Sequence, residues 1–117
     1  MATVMICEDD AFLAADLVER VEAGGHTVQG IYGSACDILE NLPLVPPDVA
    51  IVDLGLADGQ TGSAVARVLQ KAGTRVIILS GHSNASADLW SIPHTYAAKP
   101  VSDDLLAHLL EINSARC

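Results

Sequence analysis

Hydrophobic positions along the chain fall into two alternating patterns. Five short segments read as strands: Thr3–Cys7 (TVMIC), His26–Tyr32 (HTVQGIY), Val49–Leu54 (VAIVDL), Arg75–Ser80 (RVIILS) and the weaker Thr95–Ala98 (TYAA). The first, third and fourth are apolar on consecutive residues. Such runs need cover on both faces, as in a parallel sheet between helices. The intervening segments repeat nearer every four residues. Asp10–Ala23 sets Leu13, Leu17 and Val21 on one stripe, and Gly24-Gly25 follows where a helix end favours left-handed backbone. Ser34 is predicted to cap a helix over Ala35–Leu42, ended by Pro43 and Pro46-Pro47. Gly62–Ala72 places Val65 and Leu69 on one face and stops at Gly73. Ser102–Asn113 opens with Ser102 as cap and with Asp103 and Asp104 in the first turn, and its inner face is predicted to hold Leu105, Leu109 and Ile112. The least regular stretch is Gly81–His94, which reads as a short helix over Asn84–Trp90 followed by Pro93 as a breaker. The expected architecture is α/β: a (βα)5, doubly wound, parallel five-stranded sheet.

That pattern consumes all 117 residues, so one domain over 1–117 is expected. Six Lys and Arg against fifteen Asp and Glu give a net charge of −9. This excess repels nucleic acid and anionic membrane surfaces, so no direct contact with either is expected. Any anionic substrate must then be held by local cations against the global field. No apolar run is long enough to span a bilayer, and Met1-Ala2-Thr3-Val4 does not begin a secretory signal. Cys7, Cys36 and Cys117 are odd in number and lack CxxC spacing, against a disulfide framework or structural zinc. A cytoplasmic location follows as the simplest expectation.

In doubly wound sheets ligands bind at the carboxyl ends of the strands. The polar residues there are Glu8-Asp9-Asp10 after the first strand, Asp53 ending the third, Ser80 ending the fourth and Lys99-Pro100 after the fifth. Adjacent carboxylates at a strand end repel one another, and a hard dication relieves that repulsion. Mg²⁺ takes oxygen ligands, often from one or two carboxylates, with waters and substrate phosphate completing the shell. Mn²⁺ shares the preference. Asp9 and Asp53 are the expected direct ligands, Glu8 acts through water, and the Gly55 backbone carbonyl supplies a further oxygen. A carboxylate can also act as a nucleophile and form an acyl phosphate. Asp53 stands alone on its strand end and is the candidate; Lys99 and Ser80 would steady the phosphoryl oxygens.

These pieces together resemble the receiver domain of two-component response regulators, a flavodoxin-like fold. The matching elements are Glu8-Asp9, Asp53 within Val52-Asp53-Leu54-Gly55-Leu56, Ser80-Gly81, Tyr96 and Lys99-Pro100, in the family's order from end to end of the chain. The resemblance implies Mg²⁺-dependent transfer of a phosphoryl group from a phosphohistidine, on a sensor histidine kinase or a histidine phosphotransfer protein, to Asp53. It implies Ser80 and Tyr96 as switch residues that reshape an interaction face, and a cis Lys99–Pro100 bond. Such a chain would catalyse only its own phosphorylation and dephosphorylation. As a stand-alone monomer or weak homodimer it would serve as a switch toward a protein target, or as a phosphate sink or shuttle in a relay. An aspartyl-nucleophile phosphatase would want a second acid two residues after Asp53, where Gly55 stands.

The chain also departs from the family. Ala57 stands where Pro is usual, and Gly62 comes later after Asp53 than usual, which predicts a longer loop over Ala57–Thr61. The stretch from Ser80 to Lys99 is short, similar to a receiver subgroup that partners non-standard histidine kinases. Plainer roles stand beside these. Ser80 can simply satisfy backbone groups, Tyr96 can be a half-buried ring, Asp10 a helix-dipole residue, and Asp58 the first residue of an Asp58-Gly59 turn. His82 and Gly55 flank the expected path of an attacking water; His26, His94 and His108 read as surface, Cys7 as buried and inert, and Trp90 as a packing anchor.

Overall fold

The computed structural model describes residues 2–59, 61–80 and 94–114. The elements run β1 (Thr3–Cys7), α1 (Ala11–Ala23), β2 (Thr27–Tyr32), α2 (Ala35–Glu40), β3 (Val49–Asp53), α3 (Gly62–Lys71), β4 (Arg75–Ser80), β5 (Thr95–Ala98) and α4 (Asp103–Ser114). The strands form one parallel sheet in the order β2-β1-β3-β4-β5. This is the doubly wound α/β sheet expected from the apolar runs. Strand order reverses at β1, which opens a crevice at the carboxyl ends of β1 and β3. The predicted helix over residues 84–90, with His82, Trp90 and Pro93, lies outside the described residues.

Consecutive residues of the central strands feed two cores. Met5, Cys7, Ala50, Val52 and Ile78 meet α2 and α3 through Ile38, Val65 and Leu69. Val4, Ile6, Ile51, Ile77 and Leu79 meet α1 and α4 through Leu17, Val21, Leu106 and Leu110. Each side chain thus removes apolar surface from water, worth about 25 cal/mol per Å². The edge strand β2 reaches the same pairing with a bulge: Val4 pairs with Val28 but Met5 pairs with Gly30. The extra residue, Gln29, sends its amide to the Val45 carbonyl at 3.0 Å.

Two predicted stripes shift by a residue. Leu13 is 43% exposed and α1 buries Ala14, Leu17 and Val21 instead. Leu105 is 41% exposed while Leu106, Leu109 and Leu110 face the sheet. Both exposed leucines lie in the opening turn of their helices. Helix α2 ends at Glu40, not Leu42, because Asn41 caps it and returns its amide to the Asp37 carbonyl at 2.8 Å. His26, read as surface, is half-buried: its Nδ1 accepts the Ala2 amide at 3.0 Å. The Lys99–Pro100 bond is cis. Among the described residues no helix is long and apolar enough to cross a membrane.

Candidate functional site

The sheet brings four chemistry-bearing residues to one edge, each held by its backbone. Glu8 follows β1, and its amide bonds the Tyr32 carbonyl at 2.9 Å, extending the β1–β2 ladder by one residue. Lys99 follows β5 in the same way, its amide bonding the Ser80 carbonyl at 2.8 Å. Asp53 ends β3 in register with Leu79, one residue before Ser80. Asp9 is exposed at the mouth, and behind it Asp10 caps α1 by accepting from the Phe12 and Leu13 amides at 2.9 and 3.1 Å.

The Lys99 ammonium joins two of the acids. Nζ lies 2.5 Å from Asp53 Oδ2 and 2.6 Å from Glu8 Oε1. The other Asp53 oxygen, Oδ1, accepts the Gly55 amide at 3.0 Å. One ammonium shared by two carboxylates is fully compensated; a buried carboxylate with half an ammonium is not. Accordingly, burial pushes the Glu8 carboxyl above its ordinary value, and Asp53 adds to that, against the downward pull of Lys99 and the Asp10 amide. Burial alone would lower the Lys99 ammonium, but its bonds to Asp53 and Glu8 outweigh it and hold the amine above its ordinary value.

Glu8, Asp9 and Asp53 each offer an oxygen, all within 4.8 Å of one another. A hard, oxygen-only donor set that carries more negative charge than Lys99 cancels fits Mg²⁺ or Mn²⁺. Beside Lys99 opens a cleft of about 300 Å³ whose apolar walls include Leu13, Leu17, Leu79 and Pro100, which is where Leu13 goes instead of the core.

Ser80 is buried at the end of β4, while the Tyr96 ring on the edge strand β5 is 36% exposed. Gly62 permits the close approach of α3 to β3: a Cβ there would stand 2.2 Å from the Asp53 carbonyl oxygen and 2.6 Å from Leu54 Cα. Two residues act beyond what their sequence neighbourhood suggests. Arg20 on α1 bonds the Val101 carbonyl at 2.6 Å and Asp103 Oδ1 at 2.7 Å, bracing the segment that follows Lys99. Asp58 does sit in the expected turn, with Gly59 at φ +106°, yet its carboxylate bonds α2. Both pairings span distant segments, so no local pattern announces them.

No family model matches the chain, and no curated protein matches it. Solved structures do. The signal receiver domain of a modulated diguanylate cyclase from Desulfovibrio desulfuricans G20, described as an example of alternate folding, is 27% identical, with 97% of this chain and 93% of that one covered and a TM-score of 0.82. A CheY-like response regulator receiver domain from Methylobacillus flagellatus is 22% identical, with 97% and 98% covered and a TM-score of 0.84. The response regulator PhyR from Brucella abortus is 26% identical, with 93% of this chain but 46% of that one covered and a TM-score of 0.75. The chain thus has the fold of response-regulator receiver domains, and its structural neighbours are such domains.

Proposed function

We propose that this domain is a phosphoryl-accepting switch. The phosphoryl group passes from a phosphohistidine, on a sensor histidine kinase or a histidine phosphotransfer protein, to Asp53. The observation that carries the reading is the ion triad: Lys99 Nζ at 2.5 Å from Asp53 and 2.6 Å from the buried Glu8, with Asp9 alongside at the sheet's carboxyl edge. Its neighbours are receiver domains, which supports the same role.

In the reaction a carboxylate oxygen of Asp53 attacks phosphorus in line. The P–O bond forms as the P–N bond breaks, the electron pair returns to the imidazole nitrogen, and that nitrogen takes a proton from solvent. The product is an acyl phosphate, which water later hydrolyses back to the carboxylate. Asp9 and Asp53 directly, Glu8 through water and the Gly55 carbonyl would hold Mg²⁺, with Mn²⁺ as a substitute. A cation held there would supply charge neutralisation for the transferring phosphoryl oxygens. Lys99 shares that task by turning from the carboxylates to a phosphoryl oxygen, and the Ser80 hydroxyl donates to another. Movement of Ser80 and Tyr96 then reshapes an interaction face toward a protein partner. We read it as a cytoplasmic monomer or weak homodimer, and its net charge of −9 disfavours nucleic acid and anionic membrane surfaces as partners. Turnover stays limited to the domain's own phosphoryl group, since Gly55 supplies no general acid.

Incubation with acetyl phosphate, with and without Mg²⁺, followed by intact mass measurement tests this. The expected result is a Mg²⁺-dependent gain of one phosphoryl group, absent in Asp53→Ala. A gain that persists in Asp53→Ala overturns the assignment.

A further inference from the structure

The loop that follows Asp53 carries Gly55, whose amide already engages the Asp53 carboxylate. Its position is set by bonds further along the same loop. Asp58 Oδ1 accepts the Ala35 amide at 3.0 Å and Oδ2 accepts the Cys36 amide at 3.1 Å, so one carboxylate takes two backbone donors at the start of α2. The Thr61 hydroxyl donates to the same Oδ1 at 2.9 Å instead of capping α3. One residue earlier, the Ala57 amide bonds the Gly33 carbonyl at 2.9 Å. Gly33 in turn backs onto the acidic loop: a Cβ there would lie 3.6 Å from Asp9 Cα. The backbone therefore stacks in three layers at the sheet edge, with Glu8-Asp9, then the Gly33-Ser34 turn, then Ala57-Asp58.

We propose that Asp58 is a positioning residue for the divalent-cation site: by clamping the Gly55 loop to the start of α2, just past the Gly33-Ser34 turn that the Ala57 amide bonds, it sets the spacing between Asp9 on one loop and Asp53 with Gly55 on the other. This rests on the phosphoacceptor reading given above. Asp58 touches neither phosphoryl group nor cation and acts through the backbone it anchors. The bonds from Ala35, Cys36 and Thr61 hold its carboxyl below the usual carboxylate range, so it stays an acceptor through the physiological range.

A plain helix cap would leave the cation site alone, and Ser34 provides the control. Its hydroxyl accepts the Asp37 amide at 3.1 Å, capping the same helix without touching the loop. Calorimetric titration of Mg²⁺ into the whole chain separates the two roles. Asp58→Ala should weaken Mg²⁺ binding about tenfold, the usual scale for losing a group that orients metal ligands. Asp58→Asn, which keeps one acceptor oxygen, should fall between. Ser34→Ala should lower thermal stability and leave Mg²⁺ affinity unchanged. The rate of phosphorylation by acetyl phosphate in Asp58→Ala should return at saturating Mg²⁺. Unchanged affinity in both Asp58 variants, or equal weakening in Ser34→Ala, overturns the proposal; if Asp58→Ala does not fold, Asp58→Asn carries the same comparison. The titration involves no phosphoryl transfer, so a chain that binds Mg²⁺ yet never gains a phosphoryl group overturns the phosphoacceptor reading alone.

Discussion

Two loops bring acids to the same edge of the sheet and are built in opposite ways. The loop after β1 spans three residues, Glu8-Asp9-Asp10, before α1 begins. Its local anchor is Asp10, which caps the helix that starts at the next residue, while the Glu8 amide continues the ladder with Tyr32. The loop after β3 spans residues 54–61, and its main anchors lie more than twenty residues back, on Gly33, Ala35 and Cys36. A short loop needs little beyond a strand ladder and a cap, because few backbone angles are left to choose. A longer one has more conformations to lose, and distant hydrogen bonds must select among them. One site thus joins a loop set by a strand ladder and a local cap to a loop set by side-chain and backbone bonds from α2 and the turn before it.

The largest effect is expected where the long loop meets α3. Gly62→Ala forces a methyl against the Asp53 carbonyl and Leu54 backbone, neither of which can rotate away. Overpacking of this kind should lower unfolding stability by about 3 kcal/mol and shift the end of β3, measured as the urea midpoint together with acetyl phosphate labelling. A stable Gly62→Ala protein with normal labelling would show that the long loop is not tightly seated. Next in size is Asp10→Ala, which removes a cap but no site ligand. It should cost about 1 kcal/mol in urea unfolding, while labelling of Asp53 is retained. Lost labelling would mean that the short loop is less self-sufficient than its bonds suggest.

The smallest effect is a pH dependence in the long loop. Asp58 has its carboxyl lowered by backbone bonds, so its contribution to stability is present above the unfolded carboxylate value of about 3.9 and is lost as pH falls through the lower folded value. Wild-type protein should exceed Asp58→Asn in urea midpoint at about pH 7, and the gap should narrow as pH falls below about 3.9 and close once it is below the lowered folded value. A gap that does not change with pH would assign the clamp to shape, not charge.

The β1 loop was legible from sequence because each of its parts has a local signature. Three acids in a row after an apolar run, followed by helical periodicity, name the strand end, the candidate ligands and the cap together. Asp53 and Lys99 were legible for a related reason: each closes an apolar strand, and strands in a parallel sheet end on one edge. Register errors were local too. Leu13 and Leu105 fit the periodicity as well as their neighbours do, and only the placement of each helix over the sheet separates them from Ala14 and Leu106. Asp58 was legible only in part: it sits in the turn as read. An Asp before Gly in a polar stretch is a sufficient account of a turn, and nothing nearby shows a partner on α2.

The order of apolar runs and helical stripes determined the class of fold, and the polar residue closing each run determined which side chains could share an edge, because strand periodicity and burial are properties of short segments. The tertiary structure decided that Lys99 stands between Glu8 and Asp53, that Arg20 braces the segment after it, and that Asp58 ties its loop to α2. Each of those contacts joins segments whose approach depends on the packing of the whole sheet, and a hydrogen bond is satisfied only within a few tenths of an ångström, a precision that residue pattern does not carry.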